Sequence, residues 1–396
     1  MSRSFVKKSM KELPFSGIRK FFDLASGMKG VISLGVGEPD FVTPWHICEA
    51  SVYSLERGYT NYTSNCGLPE LRQEIHNYLY RKFGLEYDYS KELLVTVGVS
   101  EAVDITLRCV LEPGDEVIIP EPSFVSYKPC TIMAGGVPVT VDTREADQFK
   151  LMPEDLEKVV SSQSKVLILS YPNNPTGAIM TRKDLEAIAR IVEEHDLLVI
   201  SDEIYSELTY DGEHVSFASL PGMKDRTVLV NGFSKSFAMT GWRIGYAAAP
   251  EEIISAMLKI HQYTIMCAPV MGQMAAIEAL KNGEEEVRRM ADQYDQRRHL
   301  IVNGLNQLGL SCFEPKGAFY VFPSIKSTGM DSQTFCEILL KEEKVAVVPG
   351  DAFGNSGEGY IRCSYAASME QITEALNRIE SLLERYRTKN NLYAVK

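Results

Sequence analysis

Residues 165–203 read KVLILSYPNNPTGAIMTRKDLEAIARIVEEHDLLVISDE. Two short apolar runs, KVLILS and LLVIS, bracket a segment of helical length, and the turn-forming NNPTG closes the first run. Strand, helix and strand at this spacing make a βαβ unit, which joins two parallel strands through a crossover. Neither run alternates polar with apolar residues, as strands covered on both faces need not. The pattern repeats outward. Upstream, ELLVTVG (92–98) reads as a strand, SEAVDITLRCVL (100–111) as a helix, EPGD as a turn and EVIIP (116–120) as the next strand. Downstream, RTVLVNGFSK (226–235) continues the series. The middle of the chain is therefore expected to be α/β, with a mostly parallel sheet between helices.

After about residue 283 the pattern changes. EEEVRRMADQYDQRRHLIVNGLNQLG (284–309) reads as one long helix, followed by short strands in AFYVFPSI (318–325) and KVAVVPG (344–350). In the closing segment MEQITEALNRIESLLERY (369–386), Ile372, Leu376, Ile379 and Leu383 recur at helical spacing on one face. This predicts a smaller α+β domain from residues 1–45 and 284–396, with a large α/β domain over 46–283. The N-terminal segment is expected to share the core of the smaller domain.

With 396 residues the chain has room for both. It carries 41 Lys and Arg against 53 Asp and Glu, a net charge of −12, which argues against nucleic acid and anionic membranes as partners. The eight cysteines show neither a CxxC pair nor zinc spacing, and they read as reduced thiols of a cytoplasmic protein. No membrane span and no secretory signal is expected. Familiar signatures come close and fail. LLVISDE lacks any accompanying phosphate-binding G-x-x-x-x-G-K-[ST] loop, and GVGEPD has Pro39 and Asp40 where a dinucleotide site needs its helix and third glycine. GFSKS and GVSEA lack the last glycine of a hydrolase elbow, and the six histidines have no metal-ligand spacing. No metal is expected.

What is left is a set of polar residues that mostly follow predicted strands, where ligands of open α/β sheets bind. Lys235 is the first. A lone lysine after a strand is usually a solvated loop residue, but here its neighbours are small and apolar, which disfavours the charged form and leaves a nucleophilic amine. Arg243, eight residues on, and Ser234 can hold an anion close to it. An amine that forms a Schiff base beside an anion site asks for a molecule with both an aldehyde and a phosphate, and pyridoxal phosphate has both. That ring needs a buried carboxylate facing its protonated nitrogen. Asp202, at the end of LLVIS, is placed for this, though a helix N-cap is the plainer reading. Tyr205 is suited to bond the phenolic oxygen. Asn174 follows a strand within YPNNPTG, where a simple turn is a fair alternative. Val99, Ser100 and Glu101 open a helix whose free N–H groups suit a phosphate. Phe124 follows a strand and offers a flat face, although such a residue is more often core.

These motifs carry a resemblance. YPNNPTG, SDEIYSEL and SKSFAMTGWRIG, with LGVGEPDF (34–41) and GEGYIRCSYA (357–366), resemble the signature of class I/II aminotransferases over nearly the whole chain and in the same order. The Iγ subgroup is the nearest likeness, with its alanine, aspartate, aromatic and N-acetyl-diaminopimelate enzymes. The resemblance implies pyridoxal-phosphate fold type I, with a seven-stranded, mostly parallel sheet sandwiched by helices and a smaller α+β domain. It makes Lys235 the Schiff-base lysine and proton carrier and pairs Asp202 with the ring nitrogen. Tyr205 and Asn174 then bond the phenolic oxygen, and Phe124 stacks on the ring. Phosphate falls to Ser234, Arg243 and the Val99–Ser100–Glu101 backbone. Arg362 would bind the substrate α-carboxylate with help from Asn174, and Gly37 and Phe124 would lie against the substrate. Tyr62 would reach the phosphate of a neighbouring subunit, which implies a homodimer with shared sites. The implied reaction is ping-pong transfer from an amino acid to a 2-oxo acid such as 2-oxoglutarate. Alanine or another neutral or aromatic donor is favoured over aspartate. A C–S β-lyase on the same cofactor is the alternative, and a ligand-sensing regulator a more distant one. The segment SGIRKF (16–21) and the surroundings of Tyr127 and Tyr263 are expected to line the side-chain pocket.

Overall fold

The structure is a computed structural model that describes residues 5–15, 17 and 27–394, with side chains to residue 387. Its main sheet has seven strands: β2 (Leu93–Thr96), β3 (Glu116–Glu121), β4 (Val137–Asp142), β5 (Ser164–Ser170), β6 (Leu198–Asp202), β7 (Thr227–Gly232) and β8 (Gly245–Ala248). Their spatial order is β2-β8-β7-β6-β5-β3-β4. All neighbours are parallel except β8, which runs antiparallel to both β2 and β7. The expected mostly parallel α/β sheet is thus present. Strands β4 and β8 were not legible in the sequence. The first contains a proline at an edge position and the second opens on glycine, and both weaken a strand signal.

Register fixes the site. Ser170 pairs with Asp202, Asp202 with Val230, and Gly232 with Gly245, which also faces Thr96. The chain therefore leaves β2, β5, β6 and β7, and enters β8, along one edge of the sheet.

The helices that matter here are α1 (Trp45–Glu56), α2 (Val99–Val110), α3 (Tyr127–Ala134), α4 (Arg182–Glu194), α5 (Glu251–Thr264), α6 (Val270–Asn282), α7 (Glu284–Gln307) and α8 (Met369–Ala394). Helix α4 begins at a capping box: the Asp184 N–H donates to Thr181 Oγ1, and the Thr181 N–H donates to Asp184 Oδ2. Apolar side chains are buried on both faces of the sheet, Leu94, Val117 and Val230 with α2 on one side and Val95, Leu229 and Tyr246 with α6 on the other. Each fully buried Leu, Ile or Val contributes roughly 1.5–3 kcal/mol of transfer free energy.

A separate cluster joins the end of the chain to its beginning. Leu34 packs with Tyr294, Leu305, Phe319, Phe335, Ile372, Ile379 and Leu383, and Leu376 lies against them. Strand β1 (Ile32–Ser33) pairs parallel with β10 (Val345–Ala346). The segment KVAVVPG, expected as one strand, is two. After Val347 the chain changes partners, and β11 (Val348–Pro349) pairs antiparallel with β12 (Ile361–Ser364), itself next to β9 (Tyr320–Val321). None of the eight cysteines is in a disulfide. Among the described residues no helix is long and apolar enough to cross a membrane, and no group of residues could hold a metal ion.

Candidate active site

A cavity of about 310 Å³ opens at the sheet edge defined by that register. Lys235, Asp202, Tyr205, Asn174, Ser234, Arg243, Val99, Ser100, Phe124, Gly37 and Arg362 all line it. Most of them follow, or lie within a few residues of, a strand end on that rim, while Gly37, after β1, and Arg362, on β12, reach the cavity from the two smaller sheets.

Lys235 comes just after β7. Its Nζ donates to the Gly37 carbonyl at 2.6 Å. Burial pushes its pKa down to about 8, with the Arg362 and Arg243 charges acting the same way and Glu38 opposing them. Asp202 ends β6 and is buried. Burial raises its pKa to about 6, against the pull of hydrogen bonds from the Tyr127 hydroxyl at 2.7 Å and the Ile204 N–H at 3.2 Å.

In the turn after β5 the labour is divided. Asn173 builds the turn, its Oδ1 accepting from the Thr176 N–H and hydroxyl. Asn174 is left for the cavity, with Oδ1 accepting from Arg362 Nη1 at 2.9 Å. Arg362 lies on β12, buried, between the rings of Tyr320 at 4.5 Å and Phe353 at 4.8 Å. Its Nη2 donates to the Gly35 carbonyl at 2.6 Å, and its Nε has no hydrogen-bond partner among the described residues. No carboxylate lies within ion-pair distance of it among the described residues. Burial lowers its pKa, so a buried cation here is held by carbonyls and ring faces alone. That arrangement favours an anionic ligand strongly.

The opposite end is an anion cradle. Helix α2 starts after Gly98 with no side-chain cap, so its first N–H groups are free. Gly98 has φ +77°, and a Cβ there would fall 2.5 Å from Arg243 Nη2. Arg243 itself has φ +57°, an uncommon conformation for a residue with a side chain, and its Nη1 donates to the Thr240 carbonyl.

Three of the expected residues do not line the cavity. The Glu101 side chain turns away from the cavity, accepting from the Val97 N–H and meeting His261 Nδ1 at 2.7 Å, so Glu101 offers the cradle its backbone only. Tyr62 is 81% exposed and does not line the cavity of its own chain. Tyr263, expected near the side-chain pocket, is 88% exposed and also outside it. Tyr127 lines the cavity, but its hydroxyl serves Asp202. Of SGIRKF only Gly17 is among the described residues. Sequence reasoning missed Tyr320, because an aromatic in the strand-like AFYVF has the look of core.

A nucleophilic amine, a buried acid and an anion cradle along the carboxyl edge of a doubly covered sheet, with the buried cation of β12 facing the same cavity, suit an enzyme that works on small anions. A model of the family described as aminotransferase class I and II matches residues 29–379. An aspartate aminotransferase of Pyrococcus abyssi is 51% identical, over 93% of this chain and 95% of its own. The aromatic-amino-acid aminotransferase 2 of Thermococcus litoralis is 47% identical, over 93% of this chain and 96% of its own. Among solved structures, the aspartate aminotransferase of Thermus thermophilus with maleate superimposes with a TM-score of 0.92 at 38% identity, covering 96% of this chain and 100% of its own. The chain belongs to the class I and II aminotransferases, and its cofactor is pyridoxal 5′-phosphate. The cavity fits that molecule. The uncapped start of α2 and Arg243 suit its phosphate, and the buried Asp202 carboxyl on the cavity wall suits a protonated ring nitrogen.

Proposed function

We propose that this aminotransferase takes the amino group of a neutral L-amino acid, alanine or an aromatic one, and passes it to a 2-oxo acid such as 2-oxoglutarate. The observation that carries this reading is Arg362, a buried guanidinium without a carboxylate partner among the described residues, facing the same cavity as the Lys235 amine. In this reading Arg362 and Asn174 grip the α-carboxylate and so hold the α-carbon near Lys235. When bound, pyridoxal phosphate supplies an aldehyde for the amino group and a conjugated ring that spreads the charge left by the departing α-proton. The N–H groups of Val99, Ser100 and Glu101, with Ser234 and Arg243, hold its phosphate. Asp202 keeps the ring nitrogen protonated, Tyr205 and Asn174 bond the phenolic oxygen, and Phe124 covers the ring. With a pKa of about 8, Lys235 is neutral in part near neutrality and can both take and return the α-proton.

The cations support a neutral donor. Among the described residues lining the cavity these are Lys235, Arg243 and Arg362, and each has a role above. None of these three is left for the second carboxylate of aspartate, while Arg19 and Lys20 of the expected pocket segment lie outside the described residues. The similar identities of the aspartate and aromatic relatives do not choose between donors. We place the enzyme in the cytoplasm as a homodimer with shared sites, the neighbour's Tyr62 completing the phosphate site.

A donor panel with 2-oxoglutarate as acceptor tests this. Alanine or phenylalanine is expected to exceed aspartate in kcat/KM by about tenfold, or ~1.4 kcal/mol. Lys235→Ala should lower turnover by about 10²–10⁴-fold with the preferred donor. A tenfold preference for aspartate overturns the donor assignment. Ammonia release without an acceptor would turn the reading to a β-lyase.

A further inference from the structure

Tyr320 meets Tyr205, Arg362 and the Gly37 backbone in this site. It is fully buried and lines the cavity. Its hydroxyl lies 2.8 Å from the Tyr205 hydroxyl, and the Arg362 guanidinium sits 4.5 Å from its ring centroid. The same hydroxyl presses on the Gly37 backbone so closely that a Cβ at Gly37 would come within 2.7 Å of it. A tyrosine hydroxyl has one proton to give. If Tyr205 gives its proton to an acceptor in the cavity, the short contact between the two hydroxyls must be filled by the proton of Tyr320. The order is then Tyr320 to Tyr205 to cavity, a chain in which each bond polarises the next.

We propose that Tyr320 is a positioning residue: its hydroxyl orients Tyr205 as a donor towards the cavity, while its ring holds Arg362 for the substrate carboxylate. The proposal rests on the assignment of Tyr205 to the cofactor's phenolic oxygen. One side chain thereby joins the cofactor end of the site to the substrate end, and its two parts can be removed separately.

The test uses holoenzyme and two readouts other than turnover. The first is the pH midpoint of the visible absorbance change of the bound cofactor. A donor to the phenolic oxygen favours the form with more negative charge on that oxygen, the form present at high pH. Weakening the donor therefore moves the midpoint up. The second is the affinity of 3-phenylpropionate, an unreactive monocarboxylate, for the Arg362 end. In Tyr320→Phe the midpoint should rise by about half a pH unit, the chain having lost its first bond. 3-Phenylpropionate should bind that variant within about twofold of wild type, because the ring is kept. Tyr320→Leu should show the same midpoint shift and bind the acid about fivefold more weakly. Tyr205→Phe should raise the midpoint at least as far, and adding Tyr320→Phe to it should add nothing. If Tyr205→Phe shifts the midpoint and Tyr320→Phe does not, the proposal is overturned. If Tyr205→Phe leaves it unmoved, the assignment of Tyr205 fails first. Tyr320→Phe preserves shape, so it decides the hydroxyl's part even should Tyr320→Leu not fold.

Discussion

At the scale of a residue, Asp202 shows a site arranged for a partner and not for the stability of the bare chain. Its carboxyl is buried with a pKa near 6, whereas an unfolded aspartate titrates at about 3.9. The folded state thus binds the proton more tightly than the unfolded one. Below about pH 4 both are protonated and the group costs nothing; as pH rises towards 6, the burial of an ionising carboxyl takes stability away. The loss approaches ~3 kcal/mol above that window. Asp202→Asn in the cofactor-free chain should therefore raise the melting temperature at pH 7.5, with the gain shrinking at pH 4.5. The same variant should bind pyridoxal phosphate about tenfold more weakly or worse, since an amide oxygen can accept from the ring nitrogen but carries no charge to keep it protonated. A variant less stable than wild type at both pH values would mean that the Tyr127 and Ile204 bonds to the carboxylate outweigh its desolvation.

Among the elements, the junction of β7, β8 and α2 sets the anion cradle through backbone contact. A Cβ on Gly245 would meet the Gly98 carbonyl carbon and the Val99 nitrogen at 2.7 Å, and one on Gly232 would meet Gly245 Cα at 2.9 Å. Backbone cannot swing aside as a flexible side chain can. Gly245→Ala should cost about 1–3 kcal/mol of overpacking and push the start of α2 away from Arg243. Gly241→Ala is the control, with nothing within 4 Å of its Cβ. The measurements are melting temperature and the affinity of the cofactor-free chain for inorganic phosphate, and equal behaviour of the two variants would sink the argument. Elements of this kind were only partly legible. The apolar runs around LLVIS announced β5 to β7, because residues that must be apolar on both faces leave a plain signal. Strand β8 left almost none, since its opening glycine is chosen for closeness to α2. The split of KVAVVPG into two strands turns on which partner is nearby, which no local pattern encodes.

Over the whole molecule the legible and illegible parts follow one rule. Residues that line the cavity from turns of characteristic composition next to strands, such as Lys235, Asn174 and Arg243, could be picked out from sequence as candidates. Tyr320 and the Tyr127–Asp202 bond could not, because an aromatic that orients a neighbour has the same composition signature as one that fills space. A further part of the surface has no role in the isolated chain. On α1, Trp45, Val52 and Tyr53 stand at i, i+7 and i+8 on one face, and Trp45 is 72% exposed. Tyr59 and Tyr62 follow, and Tyr263 and Met266 are exposed at the end of α5. Exposed aromatics in such number, on a chain whose net charge is −12, support the proposal that a partner covers them. A second copy fits the proposal that Tyr62 serves a neighbour's phosphate site. Trp45→Glu should then sediment as a monomer at concentrations where wild type is a dimer. Tyr62→Phe should keep the dimer yet weaken cofactor binding by about three- to tenfold, as losing one hydrogen bond to a charged phosphate does. The pairing of results matters: a wild-type monomer that binds cofactor tightly would end the shared-site reading, because Tyr62 would then have no phosphate within reach.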